Sequence, residues 1–165
     1  MPIPHLVAAI LTCPIENARY QLRTAPEVTA VFRPVPTSGG WRNGVAFRIA
    51  IESSGRHYWF LPWNGGTDGI QHLASTRDLE GAGWTPINPD SGPRPLGDID
   101  YIGTDARYTV LPSAPARGDT APAHILLPNV GDALWHQPTE VKDSVPKQFF
   151  DLVACAKLKP GAGPG

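Results

Sequence analysis

Prolines recur through this chain so densely that long helices are excluded. An interior proline removes a backbone donor and clashes with the preceding helical turn. Here 19 prolines and 17 glycines make up roughly a fifth of 165 residues. Short strands between turns tolerate that spacing, and a chain of this length supports one hydrophobic core. The expected fold is therefore mostly β: a single antiparallel β-sandwich or barrel-like domain with long Pro/Gly-rich loops and at most one short C-terminal helix.

Period-two alternation locates the strands. Val28, Ala30 and Phe32 alternate with Thr29 and Arg33. Val45, Phe47, Ile49 and Ile51 form a second apolar row against Arg48 and Glu52. Ser53-Ser54-Gly55 then supplies turn residues before His57-Tyr58-Trp59-Phe60-Leu61, so these two runs read as adjacent antiparallel strands. Shorter candidates are 19–23, 71–75, 100–103, 108–111 and 125–127. Residues 78–97 and 112–122 read as long loops, the second carrying Arg117-Gly118-Asp119 at its tip. That tripeptide has the composition of an adhesion motif, and a solvated turn is the reading adopted. Ser144 as N-cap and Pro146 in the first turn would start a short helix placing Phe149, Leu152 and Val153 on one face. A final strand ending at Cys155 is the competing assignment.

The only two cysteines, Cys13 and Cys155, each flank an apolar run near an end of the chain. Chain ends often lie close together in a compact domain, so a Cys13–Cys155 disulfide is expected. Two buried free thiols are the alternative, and isolated cysteines lack the close spacing of a zinc site. A disulfide implies an oxidising compartment, hence a periplasmic or secreted location. Residues 1–12 read as a truncated signal-like or N-terminal apolar segment without a basic start. The β-rich domain spans 13–156, and 157–165, rich in glycine and proline, reads as a flexible tail. No run of 18 apolar residues occurs, so a membrane-spanning helix is not expected. With 15 acidic against 14 basic residues and no Lys/Arg cluster, nucleic acid is not an expected partner.

Chemistry concentrates between residues 57 and 72. Turning at Asn64-Gly65 would set Trp63 against Gly66 and His57 against His72, whereas Gly65-Gly66 or Asp68-Gly69 would not. A His57/His72 pair with Asp68 has the ligand chemistry for a divalent metal, but no third ligand is placed by spacing, so ordinary strand contacts are preferred. Asn64 and Asp68 with carbonyl oxygens would suit calcium, at an acidic density too low for a known loop. Trp59, Trp63 and Trp84, with Tyr58 and Tyr101, gather aromatic surface beside Asn64, Asp68 and Gln71. They form either a ligand platform or core filling, with Trp63 the ring expected to be most exposed. Asp98 and Asp100, near Asp105, point the same way on a strand and present a carboxylate pair. No Gly-x-Ser-x-Gly elbow, Ser-x-x-Lys or phosphate loop is present, and no catalytic residue or cofactor is assigned.

The segments Cys13-Pro14-Ile15-Glu16-Asn17-Ala18-Arg19-Tyr20, 58–68 and 149–155 resemble small exported proteins of unknown function from Gram-negative bacteria. The resemblance implies an envelope location and supplies no activity. The first expectation is a non-enzymatic extracytoplasmic binding or assembly module, contacting a protein or glycan through the 57–72 hairpin and the following loop. The second is a small metal-dependent hydrolase using His57, His72 and carboxylates among Asp68, Asp98, Asp100 and Asp105. A structural subunit of a larger envelope or extracellular complex is the third.

Overall fold

The computed structural model describes residues 12–65 and 69–156. Asp68, residues 1–11 of the N-terminal segment and the tail 157–165 lie outside the described residues. Eight strands follow one another: β1 (Ala18–Leu22), β2 (Ala25–Pro34), β3 (Val45–Ile51), β4 (Arg56–Asn64), β5 (Gln71–Thr76), β6 (Asp98–Thr104), β7 (His124–Leu126) and β8 (Phe149–Cys155). Each pairs antiparallel with the next, and β8 returns to pair with β1, so the sheet closes into a barrel. Closure satisfies every edge, which an open sheet must protect by other means.

Alternate residues point inward and are apolar, among them Tyr20, Phe32, Phe47, Ile49, Phe60, Leu73, Ile99, Tyr101, Ile125 and Phe150. An eight-stranded barrel is wide enough either for its own side chains or for one small ligand. Here side chains fill it. The Phe47 ring lies 4.8 Å from Phe32, 6.4 Å from Phe60 and 6.4 Å from Phe150 between centroids. Outward positions include Arg19, Arg33, Arg48, Asp98, Asp100 and Asp151. Among the described residues no helix is long and apolar enough to cross a membrane.

The two ends are built differently. At one end lie the 77–97 loop and the 127–148 connection, which carries helix α1 (Val130–Trp135). Val130 and Leu134, four apart on one helical face, plug that mouth with Leu127 and Val145. The other end holds the 105–123 loop, a 3-10 turn at Ile15–Asn17 and the disulfide. Cys13 and Cys155 are joined across 142 positions, with their Cα atoms 5.8 Å apart. Cys155 sits opposite Ala18 in the β1–β8 ladder, so the link locks the seam at which the barrel closes.

One expected strand is absent, and one open assignment resolves. Residues 108–111 form no strand; Val110 alone bridges to Thr104. The Asp105 carboxylate accepts the backbone N–H groups of Arg107 at 2.8 Å and Thr109 at 2.9 Å, curling the segment into a turn. Within that turn Tyr108 takes a positive φ of 63°. Its ring stacks on His124 at 4.3 Å, and Asp151 accepts from both His124 (2.7 Å) and the fork of Arg23 (2.8 and 2.9 Å). This network ties the turn to β1, β7 and β8. Of the two assignments left open at 144–155, the strand ending at Cys155 forms and the helix from Ser144 does not. Residues 149–155 extend instead, since only a strand there satisfies both β1 and β7.

A second cluster lies outside the barrel. Ala46, Trp59, Leu61 and Ala74 on the outward face of β3, β4 and β5 are buried with Val35, Trp41 and Ile87, and Trp63, Leu79 and Trp84 pack on them. The 77–97 loop thus has a core of its own. The Trp41 indole donates to the Ile87 carbonyl, pinning the loop's centre. Gly40 permits the approach, because a Cβ there would meet Pro89 Cγ at 2.3 Å.

Candidate functional site

Pairing of β4 with β5 sets Asn64 against Gln71 and Trp63 against His72, so the strands do not turn at Asn64-Gly65 and residues 65–70 connect them. The two residues that flank this connection make tertiary hydrogen bonds. Asn64 Oδ1 accepts the Ala114 N–H at 2.7 Å, and Gln71 Nε2 donates to the carbonyls of Gly69 at 3.0 Å and Pro112 at 3.1 Å. Both ends of the hairpin therefore serve to hold the 112–114 segment. The His57/His72 pair that an Asn64-Gly65 turn would give does not form. His57 lies opposite Ala50 of β3 and reaches Asp78 at 3.2 Å, while His72 stacks against Trp63 and reaches Asp100 at 3.3 Å.

The carboxylates named with the two histidines, Asp68 apart, lie in these places. Asp98 and Asp100 do share the outward face, but Arg94 grips Asp98 at 2.7 Å and His72 pairs with Asp100. Asp105 is spent on its own turn. His57, Asp78 and Glu80 bring ligand atoms within 4.8 Å of one another, all in exposed positions. The backbone N–H of Glu80 and then His57 hold the Asp78 carboxyl below its ordinary value, as an exposed ion pair would.

Of the two readings of the aromatic residues, core filling describes Trp59, Trp63 and Trp84, which join one cluster under the 77–97 loop. Trp59 is 4% exposed, beneath the Arg48 guanidinium. Trp63 is half-buried, with His72 at 5.2 Å and the Arg94 guanidinium at 5.8 Å, and Arg94 lies equally far from Trp41. Trp84 donates its indole N–H to Thr76 at 3.2 Å. Tyr101 points into the barrel on the opposite side of the sheet, at 2% exposure. Four indoles thus hold the long loop to the wall.

The fifth, Trp135, is 55% exposed. It follows Leu134 at the end of α1, one position off the Val130/Leu134 face, and so is turned away from the plug. A six-residue helix with no side-chain cap gave little to read in the sequence. Beside it lies a concavity of about 330 Å³ lined by Asp132, Trp135, Ser144 and Lys147 among others. The same connection walls a groove of about 690 Å³ with Arg56, His57, Tyr58, Gln137, Glu140 and Val141. A buried carboxylate fixes that groove's floor. Asp143, 4% exposed, accepts from the Tyr58 hydroxyl and lies 3.6 Å from Arg56, whose guanidinium also donates to the Val141 carbonyl at 3.0 Å. Burial first, and Asp143 next, push the Tyr58 phenol up, so it stays a donor. Set against known protein families, curated proteins and solved structures, the chain matches none.

Proposed function

We propose that this chain is an extracytoplasmic binding module, periplasmic or secreted, which recognises a protein or glycan through the barrel end built from residues 127–148. One observation carries the reading: Trp135 stands 55% exposed at a concavity that also offers Asp132, Ser144 and Lys147. Large rings left at a polar surface are characteristic of recognition sites, where a flat apolar face and adjacent hydrogen-bonding groups act together. A carboxylate, a hydroxyl and an ammonium around one indole suit a sugar ring, with its C–H face and its hydroxyls. The disulfide supports the compartment, since such links persist where thiols are oxidised. A lumen filled by side chains supports recognition at the ends of the barrel over enclosure of a ligand in its middle.

The contact face moves, in this reading, from the 57–72 hairpin to α1. Trp135→Ala should weaken capture of a partner from native envelope extract, or binding to an immobilised glycan panel, by about tenfold or more. Its Tm should stay within about 2 °C of the parent, because the ring packs little. Full binding by the Trp135→Ala protein in both assays would overturn the assignment.

A further inference from the structure

The opposite end of the barrel contains a polar atom that the fold itself does not use. Tyr101 enters the interior from β6 and points toward the 105–123 loop; a Cβ on Gly103 would lie only 2.7 Å from its hydroxyl oxygen. Only glycine at 103 leaves that oxygen its place. The ring is 2% exposed and the hydroxyl has no hydrogen-bond partner among the described residues. A buried hydroxyl without a partner costs about 1–3 kcal/mol, so such groups call for an explanation. Its neighbour Tyr20 shows the usual solution, donating to the Pro122 carbonyl at 2.9 Å.

Tyr101 lines a cavity of about 270 Å³ with Leu111, Pro112, Ser113, Asp119 and Pro122. At about 30 Å³ per water, that is room for a small organic molecule. Proline walls are stiff, so the space is held open before anything enters. Asp119 is the one charged residue in the lining. Its Oδ2 accepts the Ala116 N–H at 2.9 Å, which leaves Oδ1 available. A second carboxylate stands close by, since Glu16 accepts the Gly118 N–H at 3.1 Å. The adjacent cation, Arg117, lies instead against Gly44. Burial, then the Asp119 charge, raise the Tyr101 phenol, which keeps its proton and acts as a donor.

We propose that this cavity is a second binding site, for a small organic cation, choline-like in carrying an ammonium group and an oxygen, whose cationic head meets Asp119 and whose oxygen accepts from the Tyr101 hydroxyl. The Arg-Gly-Asp tip then serves as the wall of an internal site, its carboxylate turned to the loop and the cavity.

The test uses the full, disulfide-intact chain with two probes of nearly equal shape: choline, and its uncharged isostere 3,3-dimethylbutan-1-ol. Amide resonances of Gly103, Ser113, Asp119 and Thr120 should shift with choline, and the isostere should bind about tenfold more weakly. Tyr101→Phe and Asp119→Asn should each weaken choline about tenfold. Without choline, Tyr101→Phe should melt at the parent temperature or above, because it deletes an unpaired buried group. No shift at tens of millimolar choline, equal affinity for the isostere, or unchanged choline binding by Tyr101→Phe would each overturn the proposal.

Discussion

Replacing Cys13 and Cys155 together by serine, or reducing the link in the intact chain, should lower stability by about 3–5 kcal/mol. The loop that the disulfide closes spans 142 positions. Chain entropy assigns such a loop about 5 kcal/mol, and residual structure in the unfolded chain lowers the figure. In a domain of this size that corresponds to a Tm drop of about 10 °C or more. The effect is large because the β1–β8 seam joins strands at the two ends of the sequence, and a contact of that separation pays the highest closure entropy in the barrel. Thermal melts with and without a reductant measure it. An unchanged Tm would mean that the ladder from Ala18 and Cys155 to Leu22 and Phe150 holds the seam unaided.

Trp59→Ala should cost about 3–5 kcal/mol, the range for removing a buried aromatic ring. Trp59 is central to the cluster that joins the barrel wall to the 77–97 loop, between Ala46, Leu61 and Ala74 on the wall and Ile87 from the loop. Its loss should also release the loop, so limited proteolysis should cut between residues 77 and 97 before any other described segment. Trp135→Ala, by contrast, should leave both the melt and the cleavage pattern close to those of the parent. A Trp59→Ala chain that melts normally while losing partner binding would restore the hairpin as the contact face.

What could be read from the sequence follows from which interactions are local. Val28, Ala30 and Phe32, and Val45 to Ile51, alternate because one side of each strand faces the barrel interior, and that pattern placed β2, β3 and their neighbours. Barrel closure was not legible, because nothing near β1 states that β8 will be its partner; only the two cysteines hinted at it. The hairpin register stayed open among three turns for a related reason. Asn64-Gly65 is a strong local turn signal, yet Asn64 and Gln71 are drawn to residues 112–114, and distant partners decided the geometry.

The tryptophans show the limit most clearly. Along β4 the inward Tyr58 and Phe60 interleave with outward Trp59, Leu61 and Trp63, so both faces are apolar. A strand apolar on both faces is covered on both, which marks those indoles as core. Alternation shows which residues share a face; it does not show what lies on it. Here that is a proline-rich loop whose own sequence contains no regular element.

One indole, that of Trp135, meets the solvent while the other four hold the fold together. This can be measured directly by adding a soluble paramagnetic agent and following the five indole N–H resonances. The Trp41 and Trp84 N–H groups are engaged by Ile87 and Thr76, and those of Trp59 and Trp63 are shut away from solvent. The Trp135 resonance should therefore broaden far ahead of the other four. Broadening of the Trp63 resonance at the same rate, or ahead of it, would contradict the account.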